Sequence, residues 1–384
     1  MKSESFASPP APDFFTSASS GNVAPQALPL TVRPVITVRR STLERMPKWL
    51  ICVPLVAQWL WLSLRYGSTT LPSTANPLIT AGGLVGEAKL EYFHCMGAVA
   101  LSATALHCAV TPALRHSMTQ VRRLMTRAGV VFPVVAKPDL GMCGFGVRLI
   151  ADEPALAAYF AAFPSDQVIV LQEYLAQDNE AGIFYARQPG ADQGQIIGLA
   201  LRYFPQVVGD GHSTLAQLIA ANPRTQRVQG RPDHEFTLDP KWVPAAGQCV
   251  RLSTIGSTRV GGLYRDGAAH ISPALLKAID AIARDMKEFY FGRLDVRFSS
   301  LEALSQGIGF KIMEVNGAGS EAIQAWDPDT NVVNAFRIIF SKQRLLFAIG
   351  HANRSQGHQP ISLRRLAQLH FMQQRLLDMY PPSN

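Results

Sequence analysis

Three short segments, far apart in the chain, carry residue types suited to one chemistry. The first is Val134-Val135-Ala136-Lys137-Pro138-Asp139, followed by a glycine-rich run in which Gly141, Gly144 and Gly146 stand close together. The second is Gly292 to Phe298, with Asp295 and Arg297 two apart, and the third is Lys311 to Asn316, with Glu314 and Asn316 two apart. Successive side chains of a strand point to opposite faces, so Asp295 and Arg297 share one side of their strand and Glu314 and Asn316 share one side of theirs. Two adjacent strands could then present Asp295, Glu314 and Asn316 as a single cluster of oxygen ligands. Magnesium takes a few protein oxygens and completes its shell with water and phosphate, which suits two carboxylates and an amide. Glycine lacks the side chain that would keep backbone amides away from phosphate oxygens, and Lys137 adds a mobile positive charge nearby. Taken together, the three segments point to ATP with magnesium.

Each segment alone has an ordinary reading. A glycine-rich loop after a strand is usually a turn, and this one matches neither a dinucleotide fingerprint nor a Walker loop. An Asp-x-Arg on a strand is commonly a surface ion pair. The elements that would position the segments are nonetheless legible. Ser272-Pro273 reads as an N-cap and first helical residue, and Leu276, Ile279, Ile282 and Met286 then recur at helical spacing until Gly292 breaks the pattern. Near the end, Leu366, Leu369, Met372 and Leu376 predict an amphipathic helix with Arg364, Arg365 and Arg375 on or near its polar side. No internal repeat is visible.

The order of the segments resembles that of the ATP-grasp enzymes, the carboxylate-amine ligases that include D-alanine-D-alanine ligase, glutathione synthetase and cyanophycin synthetase. The resemblance runs from about Phe132 to Asp329. It implies an α+β fold in which two α+β subdomains clasp ATP, preceded by a short helical or α/β N-terminal region. Phe132 to Pro138 resembles the strand bearing the phosphate lysine, Lys137, and Gly141 to Val147 the mobile loop. Val168 to Leu175 is similar to the hinge strand bordering adenine, with Glu173 or the backbone through Leu175 reading the base and Glu180 binding ribose hydroxyls. Asp295, Glu314 and Asn316 would be the magnesium ligands, with Arg297 close to the transferred phosphate. Val207 to Leu215 resembles the "VVGDGxSTL" element of the cyanophycin synthetase and bifunctional glutathione synthetase branch, and Gly247 to Gly262 the segment after it, whose Arg251 would join Lys137 and Arg297 as catalytic residues stabilising the transferred phosphate. The chain differs where relatives carry two asparagines, having Ile255 and Ser257, and it has His212 after the "GDG". Lys89 is the candidate for an additional phosphate contact from the N-terminal region. The resemblance implies a ligase that forms an amide from small carboxylate and amine substrates through an acylphosphate, releasing ADP and phosphate. The alternatives are an ATP-grasp phosphotransferase or thiol ligase, and a non-catalytic nucleotide-binding protein associated with a membrane.

The remaining features bound these readings. A chain of 384 residues that is 47% hydrophobic and 17% charged can bury a large core and form two or three structural units. Its net charge of +8 invites a nucleic-acid reading, but Lys and Arg are spread thinly and no aromatic recognition motif accompanies them, so no nucleic-acid partner is expected. Cys52, Cys95, Cys108, Cys143 and Cys249 are an odd set without a C-x-x-C pair, which suggests a reducing, cytoplasmic setting and no zinc site. Residues 1–45, rich in Ser, Pro and Ala, read as a disordered tail. Residues 46–115 then form the N-terminal region, 116–350 the ATP-grasp domain and 351–384 a C-terminal amphipathic helix. Trp49 to Leu64 is mostly apolar, bounded by Arg45, Lys48 and Arg65, and shorter than the roughly twenty residues of a spanning helix. It could lie in a bilayer interface, be buried, or bind a second copy in a homodimer. The glycine-broken loop with Asn76, Glu87 and Lys89 could hold substrate or simply turn the chain.

Overall fold

The computed structural model describes residues 39–384, so the tail expected over residues 1–38 lies outside the described residues. Helices α1 (Thr42–Arg45), α2 (Lys48–Tyr66), α3 (Lys89–Cys95) and α4 (Ala98–Ser102) precede β1 (His107–Val110) and α5 (Met118–Ala128). There follow β2 (Val134–Pro138), β3 (Arg148–Ile150), α6 (Glu153–Ala162), β4 (Ile169–Glu173), β5 (Asn179–Ala186), β6 (Gln195–Tyr203), β7 (Gln206–Val208), α7 (Leu215–Ala221), β8 (Cys249–Arg251) and β9 (Leu263–Asp266). Then come α8 (Pro273–Arg284), β10 (Phe291–Phe298), α9 (Leu301–Ser305), β11 (Phe310–Asn316), α10 (Val332–Ser355) and α11 (Leu363–Leu377).

Two antiparallel sheets organise the molecule, in the expected α+β class: a four-stranded sheet in the order β1-β4-β2-β3 and a five-stranded sheet in the order β11-β10-β5-β6-β9. Each sheet buries one face beneath helices. In the smaller sheet Val134, Ala136, Ile169 and Leu171 pack with Val121 of α5 and with Leu156 and Tyr159 of α6. In the larger, Ile183, Leu294, Val296 and Ile312 pack with Leu275 and Ile279 of α8. Strand alternation then directs the intervening polar residues, Lys137 on β2 and Arg293, Asp295 and Arg297 on β10, to the faces that meet across a cavity of about 970 Å³.

Helix α8 starts as its sequence predicts, with the Ser272 hydroxyl accepting from Leu275 N and Pro273 in the first turn. Its buried positions are Leu275, Ile279, Asp280, Ile282 and Ala283, with Leu276 on the flank, and Met286 is buried just beyond its end. Four expectations need correction. The order begins before residue 46: Ser41 and Glu44 form a reciprocal capping box, Leu43 is buried, and Glu44 pairs with Arg224 and Arg227, so residues 41–45 are anchored to the body. A boundary at residue 115 separates β1 from β4, its partner in the sheet, and one at residue 350 cuts through α10. On α11 the inward positions are Leu369, Gln373, Leu376 and Leu377, while Met372 is exposed, because Gln373 turns in to accept from Gly86 N. Asn76 is fully buried scaffold: its amide donates to Gly82 O and Phe291 O and accepts from the backbone of Tyr290 and Phe291.

Candidate functional site

The floor of the cavity is the outer face of β10, β11 and β6. Asp295 and Glu314 are directly paired across β10 and β11, and Arg293 faces Asn316 one pleat away, so all four side chains share a face. The expected grouping of Asp295, Glu314 and Asn316 is therefore present. Every carboxylate in it already has a cation. Arg293 forks onto Asp295 at 2.6 and 2.9 Å, Arg202 reaches the same group at 3.0 Å, and Asn316 donates to it at 3.3 Å. Glu314 pairs with Lys89 at 3.2 Å. Burial alone would raise the Glu314 carboxyl, but Lys89, Lys137 and Arg293 together hold it down to about 2, so it is ionised throughout the working pH range.

The roof comes from the smaller sheet. Lys137 projects from β2 and donates to Gln172 Oε1 of β4 at 2.8 Å and, across the cavity, to the carbonyl of Met313 at 2.9 Å. Gln172 also donates to that carbonyl, at 3.2 Å. The β-bulge between Asp295 and Val296 leaves Met313 outside the ladder, and its freed carbonyl becomes the point where the two sheets touch. Burial brings the Lys137 ammonium down to about 8, with Glu314 opposing the shift and Lys89 adding to it. The loop beyond β2 turns through Gly144 and Gly146, at φ +77° and +69°. A Cβ at Gly146 would stand 2.9 Å from Pro138 Cγ, so the loop's return to β3 needs glycine there. Gly141 lies beside Lys89, and Gly144 packs on Ile255 from the opposite wall.

The remaining predicted residues are less evenly placed. Glu173 lines the cavity, but its carboxylate accepts from Leu106 N at 2.9 Å and so fastens the approach to β1. The Leu175 carbonyl accepts from Arg297, which also bonds Gln177 O at 2.6 Å. Glu180 is buried and committed to Arg202 at 2.9 Å and Arg297 at 3.5 Å, so it serves the floor's charge network. Arg251 is not brought to the cavity wall. It stacks 3.3 Å from the Phe204 ring centre, with Arg297 over the same ring, and burial together with Arg297 lowers it to about 10. Lys89 also stands behind the wall, acting through Glu314.

Three lining residues were missed from sequence, Gln172, Arg202 and Arg293, while Glu87, from the glycine-broken loop expected to hold substrate or turn the chain, does line the cavity. Arg293 had a signal, since the alternation that joins Asp295 to Arg297 also includes it. Gln172 had a weaker one, as a lone amide in an apolar run. Arg202 had none, because its partner Glu180 is on β5 and the pairing arises only from sheet register. Glu87 accepts from the Tyr92 hydroxyl at 2.7 Å, and burial, reinforced by Glu314, lifts its carboxyl to about 7.

These donors fit magnesium held jointly with phosphates. Among the described residues no three His, Cys, Asp or Glu side chains gather as a metal-binding group, and the cluster offers two carboxylates and one amide, too few for a cage made by protein alone. Apolar Val135 and Leu149 and the Tyr174 to Leu175 segment line the part of the cavity beside the hinge strand, as a purine would need.

No family model matches the chain, and no curated protein matches it. Among solved structures it is similar to a bifunctional glutathione synthetase from Pasteurella multocida, at 15% identity and TM-score 0.36, covering 70% of this chain and 38% of that one. It is also similar to a D-alanine-D-alanine ligase from Bacillus anthracis, at 16% identity and TM-score 0.39, covering 70% and 68%, and to a D-cycloserine synthetase, at 13% identity and TM-score 0.35, covering 68% and 70%. All three are ATP-grasp ligases. The chain spans 38% of the length of the glutathione synthetase.

Proposed function

We propose that this chain is an ATP- and magnesium-dependent carboxylate-amine ligase. The observation that carries the reading is the meeting of Lys137, from one sheet, with the strand bearing Glu314 and Asn316, from the other, across a single cavity. When bound, nucleotide and magnesium would supply a phosphoryl group that turns a substrate carboxylate into an acylphosphate with release of ADP, from which an amine displaces phosphate to leave an amide. The chain's own contribution is positioning and charge. Lys137 and Arg293 would neutralise phosphate oxygens, with Arg297 behind them, where a dry and preorganised site makes such charges count most. Glu314, ionised and oriented by Lys89, together with Asn316 and Asp295, would hold magnesium. Asp295 can join only by yielding one of its bonds to Arg202 or Arg293. The loop from Gly141 to Val147 would exclude water that otherwise hydrolyses the activated acid.

The test is ADP release by the purified protein with ATP, magnesium and pools of amino acids and small carboxylates, beside Glu314→Ala. ADP and phosphate that require both an acid and an amine, with a product whose mass is the two minus water, support the ligase. ADP release satisfied by one acceptor, or by a thiol, moves the assignment to a phosphotransferase or thiol ligase. Equal turnover in Glu314→Ala removes the site.

A further inference from the structure

Helix α2 carries apolar side chains around its whole circumference, yet the described residues cover only one side of it. The covered side packs on α10: Trp59 stands edge-on to Phe347 at 5.0 Å, Gln58 donates to Phe340 O at 2.9 Å, and Leu62 is buried. The opposite side, Trp49, Val53, Val56, Leu60 and Leu64 with Trp61 beside them, recurs at three- and four-residue spacing and faces outward, Leu64 being 84% exposed. Continuous apolar patches of this kind are rare on surfaces that meet only water.

The charges on α2 and α10 have one sign. Neither helix contains Asp or Glu, while Lys48 and Arg65 end α2 and Arg337, Arg344 and Arg354 lie along α10. Arg65 stacks over Trp61 at 5.5 Å, which places a cation at the edge of the apolar stripe. Tryptophan and arginine together suit the boundary between hydrocarbon and anionic headgroups.

We infer that the outer face of α2 docks the protein flat on an anionic lipid bilayer. The helix is long and apolar enough to span, at 19 residues, but an upright position would tear Gln58 and Trp59 from their partners Phe340 O and Thr69 O. Lying flat preserves both bonds and wets only the basic rim. Lys48, the first residue of α2, also lines the cavity, so docking brings the cavity to the membrane surface and favours a substrate that is itself amphiphilic.

The test is co-sedimentation of the full chain with phosphatidylcholine vesicles, with and without phosphatidylglycerol, and it needs neither ATP nor turnover. The wild-type chain should pellet with the anionic vesicles, and Val53→Ser/Leu60→Ser/Leu64→Ser should bind about tenfold or more weakly, with an unchanged melting curve. Three results would each overturn the inference: no vesicle binding, equal binding of the triple variant, or equal binding to the neutral vesicles. Sedimentation velocity covers the remaining occupant, since a dimer that the triple variant dissociates, without vesicle binding, assigns the face to a second copy.

Discussion

The floor of the cavity and the outer face of α2 break the same rule in opposite directions. On the floor, charges are buried: Glu180, Asp295 and Arg297 are each less than a tenth exposed. On α2, hydrocarbon is in the open. The difference lies in compensation. Each buried carboxylate has a guanidinium or ammonium within 3.5 Å, so the floor is satisfied inside the chain. Among the described residues nothing covers the exposed Trp, Val and Leu side chains of α2. A buried charge cluster that satisfies itself needs no partner to be stable, whereas an apolar face left open calls for something beyond the described residues to cover it.

The sharpest way to break this contrast is to remove the centre of the floor. Asp295→Ala leaves Arg293 without a carboxylate and Arg202 with Glu180 alone, and uncompensated buried charge costs about 3 to 5 kcal/mol. The expected outcome is a much lower denaturation midpoint together with lost turnover, and a midpoint near wild type would mean that the pairs are loosely held. Lys137→Met should separate function from stability. Removing one preorganised charge from a transferring phosphoryl group costs about 10²- to 10³-fold in kcat, while the midpoint holds or rises because the cost of burying an ammonium is gone. A large fall in stability would show that Lys137 is structural.

A third prediction uses pH. Burial lowers Lys137 from the usual 10.5 to about 8, so the ammonium is fully present below pH 8 and is lost as pH rises through that value. The KM for ATP should then climb about tenfold per unit above pH 8, and Lys137→Arg, whose charge persists, should flatten the climb. A flat wild-type profile would argue that Lys137 does not meet phosphate. The smallest effect belongs to α2. Leu64→Ser should change stability by no more than about 0.5 kcal/mol, read from chemical denaturation, and a larger loss would mean that the face is covered within the chain.

Legibility varied by residue in ways that follow from physics. Asp295, Glu314 and Asn316 could be grouped because strand alternation is a local rule and their strands are neighbours. The start of α8 was readable because its cap uses adjacent residues, Ser272 and Pro273. Arg251 was misplaced because nothing local specifies that its guanidinium stacks on Phe204. The roles of Glu173 and Glu180 shifted for the same reason: their partners, Leu106 N in one case and Arg202 and Arg297 in the other, arrive from other strands. Residues 41–45 looked like tail by composition, but Glu44 is held by two arginines about 180 positions away.

By itself the sequence determined the chemistry that could be attempted: a lysine and glycines for phosphate, oxygen donors for a hard cation, and an apolar helix with basic ends, because residue type and short-range periodicity are local properties. Tertiary structure decided which of those groups meet. The bulge that frees the Met313 carbonyl to receive Lys137, the register that sets Arg202 against Glu180 and Asp295, and the packing of α2 on α10 that buries one apolar face and leaves the other uncovered all depend on contacts between distant segments, and no local pattern encodes them.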